Sequence, residues 1–176
     1  MAVAALAAAA TAAPVQGGLT TPADVRRILS ALADDSMEGR ASGTPGAQRA
    51  ARYIGGEMKK IGLEPLGDSG YFQRVALAID SVPPTRRARD PQDSTRMILV
   101  PVDGPKRRAL RVRASLADRD SLPASRRPPA VNVLGVIRGA DPVRRNEDVL
   151  VDAHYDHLGI GRAVDGDSIY SGADED

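Results

Sequence analysis

Two imidazoles and a carboxylate crowd one short stretch, Val149-Leu150-Val151-Asp152-Ala153-His154-Tyr155-Asp156-His157-Leu158-Gly159, and these are the only histidines among 176 residues. A nearly continuous apolar run enters the cluster and a glycine leaves it. Such a run predicts a strand covered on both faces, and the carboxyl ends of strands in open α/β sheets are where ligands bind. His154 and Asp156 stand two apart, so on an extended chain they share a face. One can take a metal while the other accepts a hydrogen bond or orients its neighbour. An isolated histidine is more often structural than a ligand, but here a second acidic cluster, Asp174-Glu175-Asp176, lies close in sequence. The two clusters face each other if the segment from Gly159 to Gly172 forms a returning loop. Closely spaced carboxylates repel one another unless a cation neutralises them, which favours a divalent metal. Imidazole beside carboxylate suits zinc and is a poor donor set for calcium.

The absence of cysteine removes disulfide scaffolds, zinc-thiolate sites and cysteine nucleophiles. With four Tyr, one Phe and no Trp, the core must be built from Val, Leu, Ile and Ala. The net charge of +1 is a cancellation of two unlike blocks. Arg86 to Arg127 holds 12 basic side chains against five aspartates, a balance of +7, while Glu147 to Asp176 holds nine acidic residues against Arg162 alone, a balance of −8. The basic block contains no aromatic residue for base stacking and no nucleic-acid-binding motif, and aspartates interrupt it. It is expected to be a solvated surface insertion, with no nucleic acid as partner.

The elements that must position the cluster are legible at several points. Thr21-Pro22-Ala23-Asp24 is a helix-start signature, and Val25, Ile28, Leu29 and Leu32 follow at helical spacing until Asp34-Asp35-Ser36 ends the helix. A second helix is expected from Thr44-Pro45, carrying Ala47, Ala51, Ile54, Met58 and Ile61 on one face, with Lys59 and Lys60 in its last turn and Gly62 as its cap. Between them, Met37-Glu38-Gly39-Arg40-Ala41-Ser42-Gly43-Thr44 suggests an ordered loop. Val75, Leu77 and Ile79, and likewise Leu110 and Val112, alternate as strands with one wet face. Met97 to Val102, interrupted by Pro101, suits an edge strand. Val131 to Ile137 and Val149 to Ala153 suit strands buried on both faces. The fold class is therefore expected to be α/β. No internal repeat is present.

Met1 to Ala13 is almost wholly Ala with Val and Leu, and ends in small residues before Pro14. Residues 1–18 are expected to be a signal-peptide remnant, or else a disordered leader, which points to a secreted or periplasmic setting. The apolar run is too short for a transmembrane helix, which needs about 20 residues.

The segment from Val149 to Gly159, followed by Gly166-Asp167-Ser168-Ile169-Tyr170-Ser171-Gly172-Ala173-Asp174-Glu175-Asp176, resembles metallopeptidase family twenty-eight, the co-catalytic zinc aminopeptidases. Met37-Glu38-Gly39-Arg40 with Gly43-Thr44-Pro45-Gly46, Gly62-Leu63-Glu64-Pro65 and Tyr71-Phe72-Gln73 are similar to that family's N-terminal region. Asn132 to Gly139 is similar to the strand preceding its metal loop. The resemblance covers Leu32 to Val75 and Ala130 to Asp176, and leaves Ile79 to Pro129 unrecognised. It implies a three-layer sandwich with a mixed central sheet, two zinc ions, and hydrolysis of N-terminal peptide bonds in peptide substrates by a metal-activated water. Under it His154 is a zinc ligand and Asp156 the carboxylate that orients and polarises the site. The bridging carboxylate maps to Glu175, where the family usually has aspartate, with Asp174 as the alternative. His157 has no ligand role in this mapping and is expected to make a structural hydrogen bond.

The resemblance also implies a helix, a glutamate pair whose first member is the general base, another acidic ligand and a distant histidine, none of which the 176 residues contain. The expectation is a fragment, residues 19–176 being the N-terminal portion of a zinc peptidase domain with an Arg-rich insertion at about 80–129, and inactive alone. Two rivals remain. A metallo-β-lactamase-fold hydrolase would carry His-x-His-x-Asp-His, but position 152 is Asp152. A non-catalytic module would bind peptides or a partner without turning them over.

Overall fold

The computed structural model describes residues 20–172. Its elements are helices and small antiparallel sheets, a mixed α/β chain that divides into two compact units, one formed by residues up to Gln73 and from Val131 onward, the other by Arg74–Ala130.

In the first unit, helix α1 (Pro22–Ala33) starts as the sequence dictates. Thr21 Oγ1 accepts from the Asp24 amide at 3.2 Å while the Thr21 amide donates to Asp24 Oδ2 at 3.1 Å, a reciprocal cap. Ile28, Leu29 and Leu32 are half-buried, whereas Val25 stays 46% exposed. A short 3-10 helix (Asp35–Arg40) leads to helix α2 (Pro45–Lys60), capped by Thr44 and closed at Gly62, whose φ of +81° is the left-handed cap that glycine favours. The buried face of α2 is Gly46, Ala47, Ala50, Ala51 and Gly55. Small side chains there let neighbouring backbone come close. The two helices are tied by Arg27, which donates to Tyr53 Oη at 3.2 Å and to Glu57 at 2.8 Å.

Strands β1 (Glu64–Pro65) and β2 (Phe72–Arg74) pair with the two halves of the apolar run that starts at Val131. This run is not one continuous strand. Later in the chain, Val131–Val133 pairs with β2 and Gly135–Val136 pairs antiparallel with β1, while the Leu134 amide between them donates to the Tyr71 carbonyl at 2.7 Å. Two short partners, rather than a sheet on each face, set this break, and Ile137 is 62% exposed beyond it.

The second unit contains β3 (Leu77–Val82), β4 (Thr85–Arg89), β5 (Met97–Pro101), β6 (Arg107–Val112) and the short α3 (Leu116–Asp120). β3 pairs antiparallel with β6 from Leu77 opposite Val112 to Val82 opposite Arg107, and β4 pairs antiparallel with β5. Most basic side chains of the block are exposed, and a few of its arginines fasten the unit internally. Arg113 and Arg126 converge on the Asp80 carboxylate, the first at 2.5 Å. Arg119 donates to the carbonyls of Leu77, Arg127 and Pro128 at 3.1 Å each.

The first unit resumes with β7 (Val131–Val133) and β8 (Gly135–Val136), and ends in a hairpin of β9 (Gly159–Val164) and β10 (Asp167–Tyr170). Asp165 and Gly166 turn it with φ of 52° and 91°, the two successive positive values of a tight hairpin turn. Among the described residues the strands form five two-stranded sheets. The expected buried strand from Val149 to Ala153 does not form. Those residues have no regular structure, and Val149, Leu150 and Val151 are 92%, 84% and 90% exposed, because no described strand pairs with them. No helix among the described residues is long and apolar enough to cross a membrane.

Candidate metal centre

The segment between α1 and α2 forms the floor of the site. Asp34 Oδ1 accepts from the Ser36 amide at 2.9 Å, and hydrogen bonding from the Ser36 side chain first, and its amide second, holds the Asp34 carboxyl below its ordinary pKa. Glu38, Gly39 and Arg40 then take positive φ of 52°, 60° and 50°. Two of the three are not glycine, a conformation that costs about 1–2 kcal/mol per residue and persists only where the surroundings fix it. Here they do. A Cβ on Gly39 would lie 2.5 Å from the Gly159 carbonyl oxygen and 2.6 Å from that of Tyr170, so this turn sits directly against the hairpin. Glu38 pairs with Arg49 at 2.8 Å, Arg49 Nε also donates to the Ser36 carbonyl at 2.5 Å, and Thr44 Oγ1 donates to the Ala41 carbonyl at 2.6 Å. The loop is ordered as expected, with Glu38 paired to Arg49.

On this floor lies the His154 loop. Ala41 and His157 form a parallel β-bridge, with the His157 amide donating to the Arg40 carbonyl at 3.2 Å. Tyr155 Oη donates to the Val131 carbonyl at 2.7 Å. Burial first, and the Asp156 charge second, push the Tyr155 phenol above its ordinary pKa. Ser42 Oγ donates to Asp156 Oδ2. The other carboxylate oxygen, Oδ1, faces His154 Nδ1 at 3.4 Å, and the Asp156 carbonyl oxygen is 3.0 Å from the same nitrogen. A carbonyl oxygen only accepts, so this contact requires the proton on Nδ1. In the neutral imidazole that tautomer leaves the lone pair on Nε2, on a side chain that is 71% exposed. A hydrogen-bonded Nδ1 with a free Nε2 is how metal-ligating imidazoles are commonly held, so His154 fits a zinc ligand and Asp156 its orienting group.

The other two metal-ligand candidates, Asp174 and Glu175, lie outside the described residues. The segment leading to them is described. In the hairpin Tyr170 stands opposite Gly159, so the chain does return to the level of the His154 loop. Arg40, 3% exposed, then gathers the two segments: its Nε donates to the Tyr155 carbonyl at 2.8 Å, Nη1 to the carbonyls of Ser171 at 3.1 Å and of Leu32, and Nη2 to the Gly172 carbonyl. Among the described residues no group of three or more His, Asp or Glu is placed to hold a metal. Of the site residues expected from sequence, His154 and Asp156 are the two that the described residues bring together. Sequence reasoning gave no role to Arg40 and Ser42. The one signal was an Arg-Ala-Ser triplet held between glycines, where the chain must pass close to another segment.

Compared with known proteins, no family model matches the chain, and no curated protein or solved structure matches it either.

Proposed function

We propose that the chain carries part of the centre of a zinc-dependent aminopeptidase that hydrolyses the N-terminal bonds of peptides. The observation that supports this most is the state of His154, whose Nδ1 is engaged by Asp156 while Nε2 is left to bind a cation. When bound, zinc would supply Lewis acidity and a water of lowered pKa. The chain's own residues orient. Ser42 holds Asp156, Asp156 holds His154, and the 3-10 turn holds the loop that carries both. Asp174 or Glu175 is the proposed carboxylate ligand, and two zinc ions are the proposed complement.

The proposed architecture is the three-layer sandwich with a mixed central sheet that the family resemblance implies. The exposed Val149-Leu150-Val151 supports it, being a strand-type run without a strand partner among the described residues. Secretion or a periplasmic setting is proposed on the Ala-rich residues Met1 to Ala13, which lie outside the described residues.

The 176 residues contain no Glu-Glu pair to act as general base. The chain is therefore predicted to bind zinc without turnover of an amino-acid p-nitroanilide. Rapid turnover that needs zinc but survives His154→Ala would place the chemistry elsewhere and end this reading.

A further inference from the structure

We infer that Arg40 is a positioning residue for the metal centre, a guanidinium clamp that sets the spacing between the His154 loop and the strand end leading to the acidic run. The metal part of this inference rests on the function proposed above. Arg40 grips the loop twice, its side chain at the Tyr155 carbonyl and its main chain at the His157 amide. Tyr155 lies between His154 and Asp156. The same planar group takes the carbonyls of Ser171 and Gly172, the last two described residues. Leu32 adds the end of α1.

The chemistry calls for arginine rather than any cation. Carbonyls on three sides need donors fanned in one plane, which guanidinium supplies and an ammonium cannot. The left-handed backbone at Arg40, φ 50°, aims the side chain and the carbonyl at the same loop. The sign of the charge argues in the same direction. A cation repels a nearby metal ion, so if Arg40 acted only through its charge, removing it would tighten zinc binding. A clamp predicts the opposite.

The test measures zinc affinity by chelator competition for the wild-type chain, Arg40→Lys, Arg40→Ala and a control, Arg27→Ala, which cuts the link between α1 and α2 away from the site. Amide exchange of the metal-free proteins is followed by NMR. Both Arg40 variants should lose about 10–100-fold in affinity, the range typical when groups supporting metal ligands are removed, with faster exchange at His157 while the far-UV signal holds. The control should keep wild-type affinity. Equal or tighter binding by Arg40→Lys and Arg40→Ala would overturn the inference. If these variants do not fold, the metal-free wild type decides: the Arg40 guanidinium should show hindered rotation and a protected Nε proton, and free rotation would reject the clamp. A wild type that binds no zinc would refute the metal reading, and the guanidinium signals would still test the clamp separately.

Discussion

Tyr170 stands directly opposite Gly159 in the antiparallel pairing of β9 with β10. That one register brings the chain, eleven residues after Gly159, back beside the loop that carries His154. Gly39 fits against both carbonyls of the pair, and Arg40 next to it bonds to Tyr155 on one side and to Ser171 and Gly172 on the other. The site is therefore assembled around a contact between a helix-linking turn and a hairpin.

Gly39→Ala should be costly. Its methyl would meet two backbone oxygens at 2.5 Å and 2.6 Å, at a φ of 60°, so a loss of about 2–3 kcal/mol is expected. Gly56→Ala is the counterpart: it lies within α2, where an added methyl would have no neighbour within 4 Å, and should stabilise by about 0.5–1 kcal/mol. Urea denaturation of both variants measures the pair.

Ser42→Ala leaves Asp156 Oδ2 without its hydroxyl donor. Zinc affinity should fall about tenfold, and Ser42→Thr should restore it by returning the hydroxyl. Chelator competition reads both, and an unchanged affinity in the alanine variant would remove Ser42 from the site's support.

Tyr155 carries an alkaline signature. Its phenol is raised by burial and then by Asp156, so the folded state holds the proton more tightly than the unfolded one. The contribution is present below the ordinary value of about 10 and is lost as pH rises through the raised folded value. Tyr155→Phe should abolish that alkaline slope. At neutral pH it should cost about 1 kcal/mol through the lost bond to the Val131 carbonyl.

Glu57 carries the acidic counterpart. Arg27 first, then Lys60, lower its pKa, so its contribution is present above the ordinary glutamate value and fades as pH falls through the lowered one. Glu57→Gln should destabilise by about 0.5–1 kcal/mol at pH 7, and the gap from wild type should close in acid. Denaturation midpoints across pH 2–7 test this.

What the sequence made legible was local. Thr21-Pro22-Ala23-Asp24 and Thr44-Pro45 start the two helices because caps act within one turn, and Gly62 ends the second for the same reason. The apolar runs misled where partners decide. Val149 to Ala153 has the composition of a buried strand, but a strand exists only against another, and none of the described strands pairs with it. Val131 to Ile137 is divided at Leu134 because β1 and β2 each take half. The hairpin was announced by Asp165-Gly166, which the returning-loop expectation did not use. His154 and Asp156 could be singled out from spacing. Arg40 and Ser42 could not, since their partners in the His154 loop lie more than 110 residues away and only folding brings them together.

On the proposed reading, His154 presents its Nε2 to a metal. Zinc titration of the full 176-residue chain beside His154→Ala, followed calorimetrically, tests it most directly. Saturable binding by the wild type that is lost or weakened at least tenfold in the variant is the predicted result. Zinc binding of the same affinity and stoichiometry in both, or in neither, would contradict it.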